Sequence, residues 1–398
     1  MNLLPDARTR RAVPLLLTAA LLALGAALTP TYAADTLRTD IDTAVRPVMA
    51  HYAIPGMAVA ITDAGHHEVF TYGLADTAAR RPVTDHTLFE IGSVSKTFTA
   101  TLTAWAEVDG QLTLSARTSA YLPALQGSRF GGVTLQELGT HTPGGLPLQL
   151  PETITTQDEL IAWLRRWQPK YPPGTYRTYN NIGIGLLGVI TAGRMHQDFA
   201  TLMEGRLFPA LGLASTFITV PAARDPDYAR GYTRTGTPIR MAPALLSAEA
   251  YGIRTTAPDM IRFVKANLGL LTLPPDLQRA VAATHTGYVR AGGMTQDLIW
   301  EQYSEPVALR TLLDGNADRM VLDAMRVTPI TPPSAPRADV WINKTGSTNG
   351  FGAYVLFVPD RKIGVVILAN RNYPNAARVR LAYQIVSRII GTGASGKP

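Results

Sequence analysis

The 398-residue sequence predicts an α+β fold: an antiparallel sheet built from both ends of the chain with flanking helices, and a mainly helical domain inserted between them. Three observations predict it. Strand-like runs rich in Val, Ala and Ile concentrate near the two ends, and helical periodicity with long loops fills the middle. The segment Pro332-Pro333-Ser334-Ala335-Pro336 then marks a rigid connection where the chain returns to strands.

Taken in order, Arg8, Arg10 and Arg11 precede a largely apolar run from Ala12 to Leu28, and the small residues Thr31, Ala33 and Ala34 follow. This is the three-part layout of a secretory signal peptide, so residues 1–34 are expected to be removed on export to the periplasm. Thr9-Arg10-Arg11 leaves the twin-arginine and general routes both open. The apolar run is short for a membrane span, and the mature protein is expected to carry no membrane segment. An opening helix is predicted from Leu37 to Met49, then strands from Gly56 to Thr62 and from Val69 to Tyr72 around the turn Asp63-Ala64-Gly65. Ile91-Gly92-Ser93 leads into a helix whose apolar residues Phe98, Leu102, Trp105 and Val108 recur at helical spacing. Ile182-Gly183-Ile184-Gly185-Leu186-Leu187 predicts a buried helix packed closely against another. Three strands follow from Val340 to Lys344, Gly352 to Val358 and Ile363 to Leu368, with Pro359-Asp360 between the last two. A terminal helix from Asn375 to Ile390 carries the apolar residues Val379, Leu381, Ile385 and Ile389. The predicted division is 35–92 with 300–398 for the sheet domain and 93–299 for the mainly helical domain, with a cleft where they meet.

Charge and composition exclude several classes. The formal charge of +7 falls to +5 once residues 1–34, with three arginines and Asp6, are removed (7 − 3 + 1). No basic block or aromatic-basic repeat argues for nucleic acid. A mild positive field suits a small acidic substrate better. With no cysteine there is no disulfide, thiolate nucleophile or Cys-ligated metal. The seven histidines, at 51, 66, 67, 86, 141, 196 and 285, lack close metal-ligand spacing, and His141 reads as structural. No Gly-x-Ser-x-Gly elbow, His-Glu-x-x-His site, dinucleotide fingerprint or phosphate loop is present, so no metal and no cofactor is expected.

Three short fragments carry the chemistry: Ser93-Val94-Ser95-Lys96, Tyr179-Asn180-Asn181 and Lys344-Thr345-Gly346-Ser347. With 12 Ser and 6 Lys in the chain, a chance Ser-x-x-Lys should appear about 0.2 times, and alone it would read as a capping serine beside an incidental lysine. Three such fragments together are harder to dismiss. Helical spacing of three brings the Lys96 amine toward the Ser93 hydroxyl. An alcohol becomes a nucleophile only when a base takes its proton, and a desolvated lysine or a phenol flanked by cations can do so. Lys344 supplies a second cation, Thr345 and Ser347 supply hydroxyls, and Gly346 permits close approach to the backbone. Backbone N–H groups of Ser93 and Ser347 are candidates for an oxyanion hole.

These fragments resemble the class C, AmpC-type serine beta-lactamases, within the group that includes the penicillin-binding DD-peptidases. So do Thr140-His141-Thr142-Pro143-Gly144-Gly145-Leu146-Pro147-Leu148-Gln149, Ala248-Glu249-Ala250-Tyr251-Gly252 and Leu368-Ala369-Asn370-Arg371-Asn372-Tyr373-Pro374-Asn375. The resemblance runs from about residue 38 to residue 390. It implies that Ser93 forms an acyl-enzyme and that Lys96 and Tyr179 share base and acid duties. It assigns Gln149 and Asn181 to the substrate's side-chain amide, and Tyr251 to the acyl pocket. Lys344, Thr345, Asn372 and Asn375 fall at the acidic end of the substrate, with Arg378 adding to the positive field. The implied partners are beta-lactam antibiotics, cephalosporins preferred, acted on by a monomer. A DD-peptidase or esterase using the same acylation machinery and a noncatalytic peptidoglycan-binding protein are the alternatives. Pro143, Asn180 and Asn349 depart from the family pattern, where Ala, Ala and Gly are expected, and none removes a reacting group.

Overall fold

The structure, a computed structural model, describes residues 37–395; the expected signal peptide lies outside them. Among the described residues, the chain divides into two units after Arg46. Helix α1 spans residues 37–51.

Ten strands form one sheet. In chain order they are β1 (Gly56–Asp63), β2 (His66–Asp76), β3 (Arg81–Pro82), β4 (Gly287–Ala291), β5 (Met294–Gln296), β6 (Glu301–Ser304), β7 (Thr328–Ser334), β8 (Val340–Ser347), β9 (Gly352–Val358) and β10 (Ile363–Ala369). Their order across the sheet is β7-β4-β5-β6-β8-β9-β10-β1-β2-β3, and the pairings are antiparallel. Met57 faces Ala369 across the β1–β10 pair, so strands from the two ends of the sequence meet inside the sheet.

β9 and β10 are buried along their whole length and β1 up to Asp63, so they read as continuous apolar runs rather than alternating ones. Side chains alternate between faces. Ala58, Ala60, Val366 and Leu368 join the main hydrophobic core with Met260 and Val264. The latter two belong to helix α4 (Ala257–Asn267), which packs on β10 and β1. Helix α5 (Asn375–Ser395) packs on β10 and β9 and buries Val379, Leu381 and Ile385.

Two expectations are corrected. The hairpin β4–β5 falls inside the range predicted to be helical, so the sheet resumes at Gly287 rather than near residue 300. Gln296, Glu301 and Gln302 are buried polar residues on β5 and β6, and they hid the strands from an apolar pattern. The proline-rich connection is itself partly strand: β7 carries Pro332 and Pro333 on the sheet's outer edge, where a missing N–H can be tolerated.

Helix α2 (Ser95–Val108) carries Phe98, Leu102, Trp105 and Val108 at the predicted helical spacing and is buried on all sides from Ser95 to Ala106. Its four threonines survive there because each hydroxyl is satisfied. Thr97 and Thr101 donate to the carbonyls of Val94 and Thr97, Thr99 donates to Glu249 O, and Thr103 meets Thr191 Oγ1 at 2.8 Å. Helix α3 (Asn181–Arg194), the glycine-rich segment, packs directly on α2.

Candidate active site

Ser93 sits in a single 3₁₀ turn, Gly92–Val94, that runs straight into α2. Gly92 has φ +50°, and a Cβ there would lie 2.5 Å from Ser347 N. At Gly346 a Cβ would lie 2.0 Å from Ile91 O. Two glycines therefore let the end of β8 press against the turn that carries the hydroxyl. Ser347 N is thereby brought against the turn that carries Ser93.

Beneath Ser93 lies Lys96, with no exposed surface. Its Nζ donates to Ser93 Oγ at 3.0 Å, Asn181 Oδ1 at 2.6 Å and Ala250 O at 2.8 Å. Burial, reinforced by the charge of Lys344, pulls its ammonium down to about 8. Tyr179 is also buried, with Lys344 Nζ 5.1 Å and Lys96 Nζ 5.3 Å from the ring centroid. Burial alone would raise the phenol. The two ammonium groups, with a hydrogen bond from Ser93, outweigh it and bring Tyr179 down to about 8. The Ser93 hydroxyl is thus held between an amine and a phenol, both able to exchange a proton near neutrality.

Asn180 caps α3: its Oδ1 accepts from Gly183 N–H at 2.6 Å and its Nδ2 donates to Thr178 O at 2.8 Å. The residue that departs from the family pattern therefore fixes the backbone between Tyr179 and Asn181. Lys344, buried in β8, lies 3.6 Å from Glu301 Oε1 and donates to Thr345 O at 3.3 Å. Arg378 is fully buried, and burial lowers it to about 10. It donates to Gly346 O at 2.7 Å, Ser347 Oγ at 2.9 Å and Asn372 Oδ1 at 2.7 Å, joining α5 to the end of β8.

Ser93, Gln149, Asn181, Tyr251, Ser347 and Asn372 line a cavity of about 500 Å³, with Asn349 on its rim. Ser93, Gln149, Tyr179, Asn181, Thr345, Ser347 and Asn375 line an adjoining one of about 310 Å³. Residues from separated parts of the sequence therefore converge on Ser93. Lys96 and Lys344 do not line these cavities; both are buried behind the wall.

Sequence reasoning missed the support beneath Tyr179. Arg177 is buried and donates to Gln296 Oε1 at 2.7 Å, Met320 O at 2.6 Å and Glu301 Oε1 at 3.1 Å. No local spacing links Arg177 to Glu301. Replacing Arg177 with Met should leave Glu301 buried against Lys344 alone and destabilise the protein by about 3–5 kcal/mol. A chemical-denaturation midpoint equal to that of the unaltered protein would refute this.

With this geometry established, known proteins give the context. A family model described as Beta-lactamase matches residues 41–388. A beta-lactamase of Pseudomonas fluorescens is 48% identical over 89% of this chain and 99% of its own. The crystal structure of a D-alanine carboxypeptidase AmpC from Burkholderia cenocepacia superposes with a TM-score of 0.86 at 55% identity, covering 89% of this chain and 99% of that one. A class C beta-lactamase in complex with cefoxitin gives a TM-score of 0.87 at 46% identity, over 89% and 99% of the two chains.

Proposed function

Because the chain belongs to the beta-lactamase family, and within it to the class C, AmpC-type serine enzymes, we propose that Ser93 carries its beta-lactam hydrolysis with Lys96 and Tyr179 sharing the proton transfers. The observation that carries this reading is the 3.0 Å contact between Lys96 Nζ and Ser93 Oγ, with the lysine also held by Asn181 and Ala250. In the first step the Ser93 proton passes to the Lys96–Tyr179 pair as Oγ bonds to the lactam carbonyl carbon. The oxyanion so formed is held by the N–H groups of Ser93 and Ser347. The lactam C–N bond then breaks and its nitrogen takes the proton, leaving an ester on Ser93. In the second step a water gives a proton to the same pair and attacks the ester, and Ser93 recovers its proton as the product leaves.

Gln149 and Asn181 lie where they can hold the acyl side-chain amide, and Tyr251 walls the acyl pocket. Thr345 and Asn375 face the opposite, carboxylate-bearing end, backed by the charge of Lys344. Asn372, held by Arg378, adds to the polar wall from the cavity it shares with Tyr251. Cephalosporins are the preferred substrates in this reading. Export to the periplasm after removal of residues 1–34, and action as a monomer without a membrane anchor, complete it. N-terminal sequencing of the exported protein and its mass in solution test those two points.

Purified mature protein should turn over a cephalosporin continuously and faster than a penicillin. Rapid quenching should trap the added mass on the Ser93 peptide, and an adduct on any other residue would refute the assignment. A second reading, a DD-peptidase, is favoured by the 55% identical relative named D-alanine carboxypeptidase. A burst followed by a persistent lactam adduct, with release of D-alanine from a D-Ala-D-Ala peptide, would select it.

A further inference from the structure

We propose that His141 is a positioning residue for Tyr179: its carbonyl and its imidazole Nδ1 hold the backbone on either side of that tyrosine while its ring packs on the phenol. The inference rests on the proton-transfer role given to Tyr179 above. His141 O accepts the Thr178 N–H at 2.8 Å, and His141 Nδ1 accepts the Asn180 N–H at 3.4 Å. The two ring centroids lie 4.5 Å apart at 43°. One residue thus touches Tyr179 by its ring and both its chain neighbours by acceptors. The arrangement needs a left-handed backbone at His141, φ +60°, which turns the carbonyl and the side chain toward the same segment.

The imidazole is suited to this because it stays neutral. Burial first, and then Arg177, Lys96 and Lys344, hold His141 well below its ordinary value. Nδ1 is therefore an acceptor and the ring proton sits on Nε2, an assignment made from the hydrogen bond it accepts. Nε2 is buried with no hydrogen-bond partner. A ring chosen only to fill space would not leave an N–H stranded. The acceptor facing Asn180 is what the histidine supplies.

The charged groups around Tyr179 and His141 come from separate elements: Lys96 on α2, Lys344 on β8, Glu301 on β6, and Arg177 two residues before the tyrosine. Tyr179 feels the two lysines through distances of about 5 Å to its ring, so a small displacement weakens both attractions together.

Three variants test the inference. His141→Asn keeps an acceptor near the Nδ1 position and tolerates the left-handed backbone; His141→Ala removes acceptor and ring; His141→Phe keeps a ring without the acceptor. With a cephalosporin, kcat should fall about tenfold in the Ala and Phe variants and stay within about twofold in the Asn variant, with KM changed less than about twofold throughout. The acid limb of kcat/KM should move to higher pH in His141→Ala, because a displaced phenol loses the ammonium groups that offset its burial, and should stay in place in His141→Asn. Equal kcat in the Asn and Ala variants would overturn the inference, and that pair decides the matter even if the Phe variant does not fold. Absence of lactam turnover by the unaltered protein would instead overturn the reading of the site itself.

Discussion

Replacing Ser93 with Ala is expected to reduce cephalosporin turnover by about 10⁴-fold or more, the scale on which loss of a nucleophile is felt in covalent catalysis. The substitution removes one oxygen, Oγ, and with it the acyl-enzyme. Little else changes. Ser93 is only half-buried, the 3₁₀ turn around it depends on backbone contacts, and Lys96 keeps its bonds to Asn181 Oδ1 and Ala250 O. The variant should therefore unfold at the same midpoint as the parent and still bind the lactam, because Gln149, Asn181 and Thr345 remain around the cavities. Steady-state kinetics with intact-protein mass spectrometry give the readout. Turnover within about tenfold of the parent, or a covalent adduct in the variant, would mean that another group attacks the carbonyl.

The adjacent strands β9, β10 and β1, drawn from the two ends of the chain, were legible because they are buried on both faces and so spell unbroken apolar runs. The run from Gly352 to Val358 matches β9, and those leading into β1 and β10 differ from the structure by one residue at the end. The distal part of the sheet was not. β5 is three residues long and β6 four, and Gln296, Glu301 and Gln302 are buried there in polar company that no hydrophobic pattern reports. The same physics separates the parts of the site. Ser93 and Lys96 are three residues apart on one turn, so their contact is written in local spacing. Arg177 and Glu301 are 124 residues apart, and only the closed fold discloses that one holds the other beneath Tyr179. His141 was read as structural because no carboxylate or nucleophile adjoins it in sequence; its neighbours are the backbone groups of Thr178 and Asn180.

Removing the ammonium at position 96 is expected to cost about 10³-fold in kcat/KM, within the range of a general base, and to displace the pH profile as well. In the parent, Lys96 and Tyr179 each stand at about 8, so below that pH both carry their protons and neither can accept the one on Ser93. The form that attacks the lactam has lost one proton from the pair. The apparent midpoint belongs to the two groups together. kcat/KM should therefore rise with pH, fall about tenfold per unit well below 8, and level off above it. In Lys96→Met, Tyr179 loses one of the two ammonium charges that oppose the effect of its burial, while Lys344 remains at 5.1 Å. Its phenol must rise, and the acid limb must move to higher pH. A purely steric role for Lys96 predicts a lower rate with an unmoved limb. Measuring kcat/KM from about pH 5.5 to 9.5 for both proteins, with a cephalosporin whose carboxylate stays ionised throughout, separates the two. A limb that stays put in Lys96→Met would remove this lysine from the proton path and leave it only as a tether between Asn181 and Ala250.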